Sequence, residues 1–404
     1  MRKRGNGRAM FIGGFLWSCA LSAAAPAFAL GDACGGDAGS CFEIRGVPGC
    51  SDAACCATVC AEDPFCCETE WDYLCRQLAV ERCAPPVPAN DTAEGALFVA
   101  GAVVPFSTIG ATDSTEVVLP AGCGGIFGDE IRRDVFFTLR SPVTGTLFVT
   151  TCPYKGASSY SEFDTILLAR DPVDGAILAC NDESNVCGGY AEFELPVVAG
   201  ERLLLQLGGH DEFVGFGAFE VVADGKPARA PSNDGCKGAA VLGLGKPVAF
   251  DLLGATPSAS ACGADLADVW FRVGPFAESG EVTLAACSGD APVTIETRVS
   301  CGSEGVCAEG PACDAAATLA VELPAGESLL VRVASLAGAE GSITAEFEPG
   351  SSCVADFNGD GRVDAVDLGT LLGFWGQPAG DLNGDGTTNA VDLGTVLNAW
   401  GFCP

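Results

Sequence analysis

Val104-Pro105-Phe106-Ser107-Thr108-Ile109-Gly110-Ala111-Thr112 returns later in the chain as Val248-Ala249-Phe250-Asp251-Leu252-Leu253-Gly254-Ala255-Thr256. Each copy is a short β-prone run closed by a glycine turn. Other pairs keep the same order around them. Asn90-Asp91 matches Asn233-Asp234, Asp134-Val135-Phe136-Phe137 matches Asp268-Val269-Trp270-Phe271, and Thr151-Cys152 matches Ala286-Cys287. Glu194-Leu195-Pro196 and Ala199-Gly200-Glu201 match Glu322-Leu323-Pro324 and Ala325-Gly326-Glu327. The offsets drift only with loop length, so one unit occurs twice, over residues 89–223 and 232–348. Runs such as Thr146–Thr151, Thr165–Ala169, Ala191–Val197 and Arg202–Leu207 alternate with Gly, Pro and Asp turns. That pattern predicts tandem antiparallel β-sandwiches. Lys226 to Pro231 reads as the linker between them.

The repeat constrains the cysteines. Cys123, Cys152, Cys180 and Cys187 align with Cys262, Cys287, Cys307 and Cys313. The second copy adds Cys236 and Cys301. If the shared four pair alike in both copies, the additional two must pair with each other. Ahead of the repeats, residues 34–83 hold ten cysteines. Asp52 is placed to cap a helix through Cys60, and Trp71, Leu74, Cys75, Leu78 and Ala79 recur at helical spacing. A small disulfide-rich helical module is expected over 34–84, because so short a segment cannot bury enough apolar area alone. Ala84-Pro85-Pro86-Val87-Pro88 is a stiff linker after it.

Residues 1–29 have the layout of a cleavable secretory signal: Arg2, Lys3, Arg4 and Arg8, an apolar run from Met10 to Leu21, then Ala27-Phe28-Ala29. Cleavage after Ala29 removes Cys19 and leaves 22 cysteines, enough for eleven disulfides in an oxidising compartment. It also takes the net charge from −32 to about −36, since four positive charges leave with it. So acidic a chain is a poor partner for nucleic acid or an anionic membrane surface. No stretch after the signal reaches 18 apolar residues, so no transmembrane span is expected.

The C-terminus carries a second, shorter repeat. Asp356-Phe357-Asn358-Gly359-Asp360-Gly361 continues to Asp364 and Asp367, and Asp381-Leu382-Asn383-Gly384-Asp385-Gly386 continues to Asn389 and Asp392. The two copies agree at 14 of 21 aligned positions. Oxygen side chains stand at loop positions 1, 3, 5, 9 and 12 with glycine at 6, the arrangement that a hard Ca²⁺ ion requires. The carbonyls of Arg362 and Thr387 would serve position 7. Two ions are expected, one per loop. Leu368, Leu371, Leu372 and Trp375, with Leu393, Val396, Leu397 and Trp400, are expected to close a small core between two helices. Cys353 and Cys403 flank the segment and are expected to clasp its ends.

Asp, rather than Glu, at position 12 gives residues 353–403 a resemblance to a type I dockerin: two calcium loops, each followed by a helix. The resemblance implies an EF-hand-like α-helical fold and a cohesin-like partner. That partner would be contacted by the residues just before position 12, here Ala365-Val366 and Ala390-Val391. The sandwiches resemble pre-peptidase C-terminal domains through the Asn-Asp start, Ile109-Gly110-Ala111-Thr112, Phe163-Asp164-Thr165 and Cys180-Asn181-Asp182. Such domains are accessory, which implies no catalysis here. The Cys-rich segment is similar to a module of exported bacterial proteins.

Catalytic signals are weak. His210, the single histidine, sits in Gly208-Gly209-His210-Asp211-Glu212 and reads as an exposed turn. Asp129-Glu130 and Asp182-Glu183 read as solvated pairs. Asn90, Asp91, Asp134, Asp164 and Asp182 are candidates for a further cation site, with turn formation as the simpler account. The reading is of a secreted or cell-surface, multi-domain, mainly β, non-catalytic protein attached through its calcium module to a cohesin-like or cell-surface partner. The alternatives are an accessory or catalytic subunit in polysaccharide degradation and a structural protein that calcium stiffens.

Overall fold

The computed structural model describes residues 33–403 except 37, 115–118, 122, 124–129, 154–157, 211–213, 261, 263–265, 290 and 351–352. The expected signal, 1–29, and Asp129 lie outside the described residues. The chain divides into two compact units, 1–85 and 86–404.

In the first unit, helices Ala53–Glu62, Phe65–Glu68 and Tyr73–Arg82 surround a core made largely of sulfur. Asp52 and Asp72 cap the two longer helices, each accepting from two backbone N–H groups. Five disulfides, 34–56, 41–50, 55–83, 60–67 and 66–75, replace the apolar volume that the segment lacks. The helical stripe differs from the expected one. Trp71 precedes its helix and is fully buried, donating from Nε1 to the Cys41 carbonyl at 2.9 Å, whereas Leu74 is exposed.

In the second unit the two repeats fold alike. One sheet of the first copy runs in the order 97–99, 132–140, 202–209, 166–170, 177–181; the other runs 103–107, 216–227, 143–150, 192–197. The second copy runs 240–241, 267–273, 329–335, 293–298, 306–310 against 248–251, 340–349, 280–288, 317–323. Strand pairings in the two sandwiches are antiparallel except for one in each copy. In each copy the first short strand lies parallel to its neighbour, Leu97 beside Phe137 and Ala240 beside Phe271. Alternation supplies the cores: Val135, Phe137, Leu147, Val149 and Phe219 in the first copy, and Val269, Phe271, Val282, Leu284 and Val333 in the second. The Ile166–Arg170 strand is buried on both faces. Leu167 and Ala169 face the sandwich interior, while Ile166 and Leu168 join Leu119, Cys123 and Ile131 in an outer cluster.

The expected linker is partly strand. The Phe216–Pro227 strand continues through Lys226 and Pro227, which pair with Thr144 and Val143. Pro227 is tolerated because it ends the strand. Phe98 of the first sandwich packs against the core of the second.

At the C-terminus, helices Ala365–Gly373 and Ala390–Asn398 follow the two loops. Arg362–Val363 pairs with Gly401–Phe402, and a Cys353–Cys403 disulfide joins the ends. The core is smaller than expected: Ala355, Val363, Leu371 and Val396 are buried, with Leu368 and Leu393 partly so. Leu372, Trp375, Leu397 and Trp400 are exposed instead. Two helices of nine residues each have one buried stripe, too narrow for four large side chains per helix.

Candidate functional site

The two C-terminal loops share one pattern of backbone-to-carboxylate hydrogen bonds, to which the second adds donations from Asn389 to Asp385 and to the Thr387 carbonyl. Asp356 accepts from the backbone N–H of Gly359 (2.8 Å), Asp360 (3.3 Å) and Gly361 (2.8 Å); Asp381 accepts from Gly384 (2.8 Å), Asp385 (3.1 Å) and Gly386 (2.5 Å). Asn358 and Asn383 accept from Asp360 and Asp385, both at 3.0 Å. Asp360 and Asp385 accept from Arg362 and Thr387, also at 3.0 Å. Gly361 and Gly386 have φ of 83° and 91°, so position 6 needs a residue without Cβ. Asp364 and Asn389 cap the helices, each in a capping box with the carboxylate at position 12.

Position 12 ties loop to helix. Asp367 is buried; it accepts from Phe357 (2.8 Å) and Asn358 (3.3 Å) through one oxygen and from Asp364 (2.9 Å) through the other. Asp392 repeats this with Leu382, Asn383 and Asn389. Burial pushes the Asp367 carboxyl up, but the three N–H donors outweigh it and hold the group below its usual range. Asp392 is held low in the same way, first by the Asn389 N–H. Arg362 lies in the short strand with its guanidinium 4.0 Å from the Phe402 ring centre.

The donor set of each loop is all oxygen and rich in carboxylate, which fits a hard divalent cation. Among the described residues, the only three or more Cys, His, Asp or Glu ligand atoms within 4.8 Å of one another belong to Cys34, Cys56, Cys60 and Cys67. Those sulfurs are two adjacent disulfides, so none is a thiolate available to metal.

The residues expected near position 12, Ala365, Val366, Ala390 and Val391, are all exposed. Further apolar side chains accompany them in matched pairs: Val366 and Val391 at 57% exposure, Leu372 and Leu397 at 50% and 54%, and Trp375 and Trp400 at 48% and 49%. The two halves of the module therefore present the same chemistry twice.

The five candidates for a sandwich cation site do not come together. Asn90 donates to the Phe136 carbonyl, and Asp91 accepts from the Thr112 N–H and hydroxyl. Buried Asp134 accepts from Ser114 and Gln206. Asp182 pairs elsewhere, with His210 at 2.7 Å, and both side chains are buried. His210 is thus no exposed turn and Asp182 no solvated carboxylate. Asp164 belongs to the same end; burial first, then Asp182 and Glu183, raise its carboxyl above the usual value.

Strand registers define equivalent positions in the two copies. Gln206 lies between Phe136 and Leu168; Arg332 lies between Trp270 and Glu296. In the first copy, Gln206 stands between Asp134 and Arg170, donating to the carboxylate at 2.6 Å and accepting from the guanidinium at 2.8 Å, with Leu168 beside it. The second has a buried ionic layer, in which Arg332 meets Asp268 at 2.9 Å and Glu296 meets Arg298 at 2.6 Å. Sequence reading missed this layer, although Asp268, Glu296 and Arg332 each interrupt an apolar strand. Cys236 is bonded to Cys301, and the shared cysteines pair alike: 123–180 and 152–187, 262–307 and 287–313.

A cleft of about 330 Å³ opens at one end of the first sandwich, lined by Asp91, Thr112, Asp113, Ser114, Phe136 and Arg170, with Thr92 and Ala93 on its rim.

No family model matches the chain, and no curated protein matches it. Solved structures with some likeness include the tandem CBM51 modules of a family 98 glycoside hydrolase from Streptococcus pneumoniae, 10% identical over 58% of this chain and 87% of that one, TM-score 0.17. The CUB1-EGF-CUB2 domains of rat MASP-1 are 10% identical over 62% and 99%, TM-score 0.17. The CBM22 tandem of Paenibacillus barcinonensis Xyn10C is 13% identical over 53% and 76%, TM-score 0.13. Likenesses this distant carry no argument about what the chain does.

Proposed function

We propose that residues 353–403 are a calcium-folded docking module of the dockerin kind, which attaches the sandwich body to a cohesin-like protein at a cell surface or in a secreted assembly. The observation behind this reading is the shared backbone-to-carboxylate hydrogen-bond pattern of the two loops, together with the matched exposure of their helices. Asp356, Asn358, Asp360, Asp364, Asp367 and the Arg362 carbonyl would hold one Ca²⁺. Asp381, Asn383, Asp385, Asn389, Asp392 and the Thr387 carbonyl would hold the other. Calcium would neutralise the carboxylates of each loop. Asp367 and Asp392 orient loop against helix through their backbone hydrogen bonds. The Cys353–Cys403 disulfide holds the module closed. The half-exposed Leu372 and Trp375, or Leu397 and Trp400, supply apolar anchors suited to a protein partner.

Titration calorimetry on the chain from residue 30 is expected to give two calcium ions per chain. A pull-down with a cohesin-like domain is expected to succeed in calcium and fail in chelator, and to fail for a chain ending at residue 349. Absence of calcium binding sinks the proposal. Calcium binding without any calcium-dependent partner transfers support to the reading in which calcium only stiffens the protein.

A further inference from the structure

The geometry points to the cleft of the first sandwich as a binding site for a neutral, hydroxyl-rich ligand: one or two sugar units of a polysaccharide. Its volume of about 330 Å³ is of small-ligand size. Its polar groups are held in place before any ligand arrives. Both Asp91 oxygens are fixed by Thr112, at 2.6 and 2.7 Å. Asp113 accepts from the Arg133 N–H at 3.1 Å, and Arg133 is the one non-glycine residue with positive φ (50°) among the described residues. It sits at a register shift between Arg132 and Val135 in the Arg132–Arg140 strand, so an irregular strand aims this contact. Arg170 donates to the Gly175 carbonyl and to Gln206, at 2.9 and 2.8 Å.

Charge selects the ligand class. Asp91 and Asp113 line the cleft, but Arg170 lines it too, and Arg132 and Arg133 lie 3.8 and 3.6 Å from the Asp113 carboxylate. The local charge is close to balanced, so neither a cation nor an anion is favoured. What remains is a ring of acceptors, hydroxyls and one guanidinium over a Phe136 floor. Carboxylates that keep spare lone pairs accept from neighbouring hydroxyls, and a guanidinium donates to hydroxyl or ring oxygens.

The second copy builds the same place from different residues. Asp113 is replaced by Pro257 and Phe136 by Trp270, and the Arg298 guanidinium lies 5.3 Å from the indole centre. Cys236, at the position of Ala93, is bonded to Cys301 in the loop after Arg298 and ties the rims together. One site per chain is therefore expected, independent of the calcium module.

Affinity electrophoresis of the chain from residue 30, through gels containing soluble β-glucan, xylan, galactomannan or pullulan, tests the assignment. Retardation in at least one gel is expected, unchanged by chelator and by truncation at residue 349. Asp113→Ala, at a half-exposed position, and Phe136→Trp, which introduces the second copy's residue, should each weaken binding at least tenfold; Trp270→Phe should not. Circular dichroism and disulfide mapping check that each variant is folded. No retardation in any gel, equal retardation of every variant, or loss in chelator would each overturn the assignment. Loss only on truncation would overturn it as well, by moving the site to the C-terminal module.

Discussion

Arg140 of the first sandwich meets Asp251 of the second through two parallel hydrogen bonds, Nη1 to Oδ1 at 2.6 Å and Nη2 to Oδ2 at 3.0 Å. Arg140 is only 11% exposed and also donates to the Gly338 carbonyl. Arg202 reaches Glu340 at 2.7 Å beside it, and Phe98 packs against the second core. The tandem is therefore fastened by a planar fork as well as by apolar contact.

Replacing Arg140 with Ala should loosen that fastening. Asp251 is half exposed, so solvent screening limits the loss to on the order of 1 kcal/mol. Thermal unfolding checks the size, and small-angle scattering checks whether the chain extends.

The same pair should respond to acid. Burial raises the Asp251 carboxyl, but Arg140 overcomes this and leaves it below its usual value. A carboxyl held low in the folded state contributes stability above its unfolded pKa of about 3.9, and that contribution fades as pH falls through the lower folded value. The stability gap between wild type and Asp251→Asn should stay flat from pH 7 to about 5 and shrink below about 4. Denaturant midpoints across that range provide the measurement.

Asp367→Ala and Asp392→Ala should each reduce calcium stoichiometry from two ions to one, and the double variant should bind none. Each carboxylate also holds three backbone N–H groups, so the variants should melt earlier even in chelator. Calorimetry separates the first effect, and melting in chelator the second.

Removing the 353–403 clasp, with Cys353→Ser and Cys403→Ser together, frees a loop of 50 residues. Chain entropy puts the cost at up to about 4 kcal/mol. Calcium affinity should fall in the double variant; an unchanged affinity means that the clasp does not order the loops.

Much of this was legible in the sequence because it is local. Asn-Asp starts, Gly turns and paired cysteines occupy a few consecutive residues, so the repeat and the Cys236–Cys301 bond could be reached by alignment alone. What escaped depends on distant partners. His210 follows two glycines and reads as a turn, but Asp182, 28 residues earlier, buries it. Leu372 and Trp375 read as core, and only the narrow packing of two short helices leaves them outside. The Asp113 cleft depends on an irregular strand that no composition reveals.

The polar layers of the two sandwiches have a consequence for folding fidelity. Tandem copies of one fold risk exchanging strands while they assemble. Here an exchanged central strand would place Arg332 beside Leu168, leaving Glu296 beside Gln206. Asp268 is fully buried and would lose Arg332, and a buried carboxylate deprived of its guanidinium costs roughly 3–5 kcal/mol. The unlike interiors thus act as a key by which each half recognises its own strands, even though their outlines are interchangeable.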